Sequence, residues 1–307
     1  MRWTPERLPD LSGKTYAITG GNSGLGLEAA KILTKKGARV VITARSPSKA
    51  KEALETVKAH SPGASVDFVL LDLSDQDSVK SAAEALKTAC PKIDALINNA
   101  GVMQPPETRT KEGFELQFAT NHLGHFRLNS QLFEHLEANA ARIVPVSSIA
   151  HRMYRIQFED LQFEKKYTPT DAYAQSKLAN LLYGFELQRR LAARGSKVVS
   201  IPCHPGYSAT NLQSAGVGQE GGSKFYRFLY GITNKIVAQK AEHGAYPLVL
   251  AAADPTAEPG AYYGPTGIGQ ARGPVGKSHV DPRALDQDVA RRLWEVTEKL
   301  VGPFFPS

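Results

Sequence analysis

The most constraining feature of this chain is a short apolar stretch that runs straight into a cluster of glycines. Tyr16-Ala17-Ile18-Thr19 leads into Gly20-Gly21-Asn22-Ser23-Gly24-Leu25-Gly26. A segment rich in Ala, Leu and Lys follows at 27–36 and closes on Gly37. Strand, tight turn, helix and C-terminal glycine in that order form the opening of a βαβ unit.

The rhythm then repeats. The stretch 39–44 is β-branched and nearly all apolar, as suits a parallel sheet covered on both faces. Helices are expected over 48–60 and 75–89, and strands over 66–71 and 95–97. One long helix or two should fill 113–137, followed by a strand at 142–147. A long helix over 171–194 precedes a strand at 197–202. Six strands separated by helices predict an α/β fold with a single doubly wound, Rossmann-type parallel sheet and helices on both faces.

No composition break, repeat or low-complexity tract divides the 307 residues, so one domain is expected over 1–307. Its parts are a cofactor and catalytic core over about 14–210, a substrate loop or lid at 211–240, and a C-terminal completion of the fold at 241–307. Two regions interrupt the alternation. A polar and aromatic insertion spans 151–170. The stretch 211–240 opens with Gly216, Gly218, Gly221 and Gly222, then presents Phe225, Tyr226, Phe228, Leu229, Tyr230, Ile232 and Ile236. Long excursions of this kind usually serve as lids or binding loops. For 224–236 the alternatives are core, a lid over an apolar substrate, or an interfacial helix with Lys224, Arg227 and Lys235 on its polar side. The lid is favoured.

Charge and cysteine content exclude several classes. There are 37 Lys+Arg against 30 Asp+Glu, a formal charge of +7, with no block of like charges. No nucleic-acid partner is expected, and the surplus suits an anionic small molecule. Cys90 and Cys203 alone make neither a disulfide framework nor a metal-site spacing, so no metal is expected and a reducing compartment is. Residues 1–7 lack the apolar stretch of a signal peptide, and no run of 18 apolar residues occurs. A cytoplasmic setting without a transmembrane segment is the expectation.

The glycine turn has a chemical reading. Helix N-termini carry unpaired N–H groups and partial positive charge, and glycines let a backbone approach a pyrophosphate closely. Gly20, Gly24 and Gly26 stand where that mechanism needs them, although turns also use glycine for φ alone. A site for NAD(H) usually places an acid at the end of the second strand, for the ribose 2′-hydroxyl. Here Thr43-Ala44-Arg45-Ser46 has none. Arg45 suits a 2′-phosphate through its planar charged fork, so NADP(H) is expected over NAD(H).

Tyr173 and Lys177 are four apart at the start of the long predicted helix and share a face. A neighbouring ammonium favours a phenolate. An unperturbed tyrosine titrates near ~10, so reaching neutrality asks for about 4 kcal/mol, more than one lysine supplies. Ser147-Ser148 closes an apolar strand, Asn98-Asn99-Ala100-Gly101 closes the strand before it, and Asn121 lies between.

Together with Thr19-Gly20-x-x-x-Gly24-x-Gly26, Asp72 and Pro205-Gly206, these pieces resemble the short-chain dehydrogenase/reductase family, in order, over about 14–210. Asn121-His122-Leu123-Gly124-His125-Phe126, Val146-Ser147-Ser148-x-Ala150-His151 and Tyr173-Ala174-Gln175-Ser176-Lys177-Leu178-Ala179-Asn180 resemble its retinol-dehydrogenase-like branch. That branch often carries an N-terminal membrane anchor, which these first residues do not show.

The resemblance implies an oxidoreductase that moves a hydride between NADP(H) and a carbonyl or alcohol. Tyr173 would be the general acid/base, and Lys177 would lower its pKa and hold the nicotinamide ribose. Ser148, rather than Ser147, would bind the substrate oxygen. Asn121 would support a water relay to Lys177. Gly20, Ser23, Gly24, Leu25 and Gly26 would contact pyrophosphate, and Asp72 and Leu73 would frame adenine. Asn99, Ala100 and Gly101 would line the adenosine ribose side, while Pro205, Gly206 and Thr210 would hold the nicotinamide end. His151 would touch substrate from its place after Ser148.

Metal or triad roles for His122, His125, His151 and His204 lack partner spacing. Cys203 is read as a small buried hydrophobe and Asp171 as a first-turn helix acid. The alternatives are an NAD-dependent alcohol dehydrogenase of the same fold and a non-catalytic NADPH-binding sensor, against which the intact Ser148, Tyr173 and Lys177 set speaks. The partner is a small-molecule carbonyl or alcohol, with room for a homo-oligomer.

Overall fold

The structure, a computed structural model, describes residues 3–207 and 240–306. Its sheet has six parallel strands: β1 (Thr15–Ile18), β2 (Arg39–Ala44), β3 (Val66–Leu70), β4 (Ala95–Asn98), β5 (Arg142–Pro145) and β6 (Val199–Ser200). The spatial order is β3-β2-β1-β4-β5-β6. Tyr16 pairs with Val40 on one side and Ala95 on the other, so the order reverses beside β1. Sheets of this kind hold ligands at such a reversal, outside the carboxyl ends of the strands.

Alternate residues of each strand feed two cores. Ala17, Val41, Leu96 and Ile143 face one cluster, where α3 (Gln76–Ala89), α5 (Gly124–Ala138), α6 (Pro169–Ala193) and α8 (Gln287–Val301) pack. Tyr16, Ile18, Val40, Ile42, Ala95, Ile97 and Val144 face the other, covered by α1 (Gly24–Lys35), α2 (Pro47–His60) and α7 (Ala241–Ala253). Period-two side-chain alternation therefore serves both faces, and the near-continuous apolar strands follow from it. Each fully buried Val or Ile contributes about 1.5–3 kcal/mol. A hairpin of β7 (Tyr263–Pro265) and β8 (Val275–Lys277) joins the sheet where Tyr263 bridges Cys203. Among the described residues, no helix is long and apolar enough to cross a membrane.

Two predicted elements differ. The helix expected over 113–137 begins only at α4 (Leu116–Phe118), because the buried Glu115 carboxylate accepts the Gln117 and Phe118 N–H groups as an N-cap. It then widens into a π-helical turn over Ala119–Leu123 before α5. The strand expected over 197–202 shrinks to Val199–Ser200, since Pro202 has no N–H to give. The chain nonetheless continues beside β5, with Ile201 N donating to Ile143 O and Cys203 N to Pro145 O.

Candidate active site

The turn after β1 is shaped for close approach of an anion. Gly20 and Gly24 take φ of +65° and +54°, in the left-handed region. A Cβ on Gly26 would lie 2.7 Å from both Asn99 Nδ2 and Gly20 O, so only glycine fits there. Ser23 occupies the N-cap of α1, but its side chain caps no backbone N–H, and no acid lies in the first turn. The leading N–H groups of α1 and the Ser23 hydroxyl thus suit an oxygen-rich ligand. Asn99 Nδ2 donates to Thr19 O (2.9 Å) and Gly20 O (3.3 Å), tying the end of β4 to this turn. Gly20, Ser23, Gly24, Leu25 and Gly26 therefore form a cradle that fits a pyrophosphate.

The neighbouring strand ends carry the residues expected to meet the rest of a dinucleotide. Asp72 Oδ1 accepts from Ser74 N (2.9 Å) and Ser74 Oγ (2.6 Å), and Asp72 N donates to Ser78 Oγ. Leu73 is buried, and α5 presses on its carbonyl so closely that a Cβ on Gly124 would meet it. Arg45 follows β2, exposed and in no ion pair among the described residues. Ser46 beside it caps α2 by accepting from Lys49 N.

The predicted chemical groups gather at the carboxyl ends of β4 and β5. Pro169 starts α6 with its fixed φ, which places Tyr173 and Lys177 in the first turns. The Lys177 Nζ sits 5.7 Å from the Tyr173 ring centroid. It donates to Val146 O at 3.3 Å, and burial pushes its pKa down to about 8. Tyr173 packs against Ala150 and Ala174, with Met103 and Tyr154 beside them, so it stands next to the turn that begins at Ser148. A Cβ on Gly101 would come within 2.9 Å of Asn121 Oδ1 and 3.5 Å of Lys177 Nζ, so these three residues converge.

The two serines separate cleanly. Ser147 is buried and donates to Lys177 O at 2.7 Å. Ser148 is half-buried, and its oxygen accepts from Ala150 N at 3.2 Å. Among the described residues no acceptor for its own proton is found. Asn121, in the π-helical turn, accepts from Val102 N (2.8 Å) and donates to Val102 O (3.0 Å) and Ser176 Oγ (2.9 Å). Both of its amide protons are thus committed, while Oδ1 keeps a second lone pair.

His151 is buried, with Nδ1 2.6 Å from Ser148 O and its ring edge-on to Tyr262, so the structure places it behind Ser148 rather than on an open face. Pro205 and the buried Gly206 follow the sheet as expected. Thr210 and the lid residues 211–239 lie outside the described residues. The insertion at 151–170 does contribute a recess of about 380 Å³, lined by Tyr154, Phe163, Lys165, Lys166 and Asp171 among others.

The remaining candidates are interior groups. His122 bonds Thr297 Oγ1 at 3.0 Å and His204 bonds Ser278 Oγ at 3.1 Å, and burial pushes both rings down to about 3. Burial pushes the Cys203 thiol well up, so it is no nucleophile. Asp171 lies in the first turn of α6. Sequence reasoning missed Thr19 and His125 as partners; the signal was a hydroxyl and an imidazole in otherwise apolar surroundings.

The family model for short chain dehydrogenase matches residues 14–220. Retinol dehydrogenase 12 of Homo sapiens is 37% identical over 295 residues, covering 95% of this chain and 87% of that protein. Retinol dehydrogenase 13 of Homo sapiens is 37% identical over 302 residues, covering 97% and 87%. A solved structure of an uncharacterised protein from Mycobacterium paratuberculosis superposes with a TM-score of 0.81 at 36% identity, covering 100% of both chains.

Proposed function

The chain belongs to the short-chain dehydrogenase/reductase family, and from that membership we propose that it interconverts a lipophilic carbonyl compound and its alcohol with NADP(H), using Tyr173 as general acid/base. The chain is an oxidoreductase acting on CH–OH groups, of a family that binds NAD(P)(H).

Bound along the carboxyl ends of the strands, the dinucleotide supplies or accepts the hydride. The protein's part is position and protons. In reduction Tyr173 gives its phenolic proton to the carbonyl oxygen, and in oxidation it takes the alcohol proton. Ser148 donates a hydrogen bond to the same oxygen and stabilises the charge that develops there. Lys177, with its pKa near 8, is mostly charged at neutral pH, and a cation beside a phenol favours the ionised form. The observation that carries the reading is this buried ammonium against the Tyr173 ring, beside the turn that begins at Ser148, whose hydroxyl has no acceptor among the described residues.

Arg45 supports the cofactor preference, being an exposed guanidinium at a strand end without an acid. The retinol dehydrogenases supply the substrate class by their names: retinol is a long apolar alcohol. The test is NADPH consumption over aldehydes, ketones and quinones of graded chain length, with NADH run in parallel. Efficiency should rise with chain length and favour NADPH. Arg45→Asp should move the ratio of kcat/KM values towards NADH by about 10- to 100-fold, the worth of one or two charge-assisted bonds. Preference for NADH, or turnover of small hydrophilic carbonyls only, would overturn the cofactor or the substrate half of the reading.

A further inference from the structure

Two buried polar side chains take no part in that mechanism and touch each other. Thr19 ends the β1 run, and His125 lies in the first turn of α5; their exposures are 0% and 3%. Thr19 Oγ1 and His125 Nε2 are 2.8 Å apart. His125 Nδ1 lies 2.9 Å from the backbone oxygen of Asn121. A carbonyl only accepts, so Nδ1 carries the proton and Nε2 accepts from the Thr19 hydroxyl. Thr19 Oγ1 in turn accepts from Ala100 N at 2.9 Å. Burial, together with the Lys177 charge, holds the ring down to about 4, so it stays neutral near pH 7 in this one tautomer.

The shortest bonds then run from Ala100 N–H to Thr19, from Thr19 to His125 and from His125 to the Asn121 carbonyl, with Ile97 O, 3.3 Å from Thr19 Oγ1, the longer alternative acceptor for the same hydroxyl proton. Both ends of this chain reach the site. Thr19 directly precedes the glycine turn, and its own carbonyl receives Asn99 Nδ2. Asn121 holds Val102 through both amide atoms and donates to Ser176 Oγ, which donates to the Tyr173 carbonyl at 2.8 Å. A continuous run of hydrogen bonds thus joins the pyrophosphate cradle to the helix turn that carries Tyr173 and Lys177.

We propose that His125 is a positioning residue that couples the glycine turn at Thr19 to the π-helical turn at Asn121, so that one imidazole aligns both the nucleotide site and the Tyr173–Lys177 pair. The kinetic part rests on the oxidoreductase reading. The structural part does not.

Two substitutions divide the bonds. His125→Gln presents an amide oxygen near the Nε2 position and keeps the Thr19 contact. His125→Asn presents an amide N–H near the Nδ1 position and keeps the Asn121 contact. The readouts are the NADPH dissociation constant by fluorescence titration and kcat at saturating NADPH. The Gln variant should lose about tenfold in kcat with Kd within about twofold, and the Asn variant should weaken NADPH by about two- to tenfold, the range of one buried hydrogen bond. Thr19→Val removes the same bond from the other side, together with the acceptor of Ala100 N–H, and replaces the Asn variant, with a larger expected loss of NADPH affinity, if that chain does not fold. Equal losses of kcat and Kd in both variants would mark a mere packing residue and overturn the proposal. So would values within twofold of the unsubstituted chain throughout. An unsubstituted chain that binds NADPH but turns over no carbonyl compound defeats the proposed Tyr173 chemistry alone, and the Asn variant's Kd then decides the coupling.

Discussion

The buried polar side chains of α6 concentrate in residues 172–180, whereas residues 181–191 bury mainly apolar ones, with the ion-paired Glu186 as the exception. In the first stretch Gln175, Ser176, Lys177 and Asn180 are all buried, and each is tied to a distant backbone or side-chain group. In the second, Leu181, Leu182, Leu187 and Leu191 join the core, and Tyr183 stacks on Trp294 with ring centroids 5.9 Å apart. Phe126 and Phe304 close the same aromatic cluster from α5 and the C-terminal end. Burying a polar group costs about as much as its hydrogen bonds return, while aromatic burial is a net gain. One helix therefore does two jobs: its first half holds geometry, and its second half supplies the stability that lets it.

The sharpest way to break that division is to cut each half once. Tyr173→Phe keeps the ring and removes one oxygen; turnover should fall by about 10²- to 10⁴-fold, the range of a general acid, with a stability change of no more than about 1.5 kcal/mol, the net worth of one hydrogen bond. Trp294→Ala should cost about 3–5 kcal/mol in urea unfolding, while the folded fraction keeps its kcat. If the first variant unfolds as readily as the second, or the second stops turnover in molecules still folded, the halves are not separable.

The adjacent serines repeat the contrast on a smaller scale. Ser148→Ala should lower kcat by about 10²- to 10³-fold, as loss of an oxyanion donor does. Ser147→Ala strips a donor from the Lys177 carbonyl and should cost about 1–2 kcal/mol of stability with a much smaller kinetic effect. The reverse ranking in single-turnover rates would move the substrate-binding role to Ser147.

Strand and helix order was legible because both faces of the sheet are covered, and each βαβ unit marks its own boundaries with apolar runs and glycine. The glycine turn stood out through local spacing, whereas Tyr173 and Lys177, four apart like many surface pairs, stood out only in company with Ser148, Asn99 and Asn121. Choosing Ser148 over Ser147 needed a family pattern, since what separates them is a contact with Lys177 O thirty residues away. The π-helical turn was not legible. Asn121 is held by Val102 and Ser176, contacts that no helical periodicity encodes. The same holds for Thr19 and His125, more than one hundred residues apart in sequence and 2.8 Å apart in space. Local pattern finds elements and the groups on one helix face, whereas bonds between elements appear only with the fold.

Lys177 allows the smallest and most direct test of whether the polar half of α6 is held against its own stability. Its pKa is lowered by burial from 10.5 to about 8, so the folded state disfavours the charge that the proposed chemistry uses. Below pH 8 both folded and unfolded chains carry the proton, and the cost of the buried ammonium is present in full. Between about 8 and 10.5 the unfolded chain binds more protons, so stability of the unsubstituted chain rises with pH through that window. Lys177→Met removes the charge and keeps an apolar stem of similar length, while Asn180 still donates to Val146 O. The variant should be inactive yet about 1–3 kcal/mol more stable at pH 6–7, with that advantage fading between pH 8 and 10.5. Urea unfolding of both chains at pH 6, 8 and 10 measures it. A variant less stable at pH 6 would mean that the ammonium is held by partners strong enough to offset its desolvation, and the polar half of α6 would then contribute stability as well as alignment.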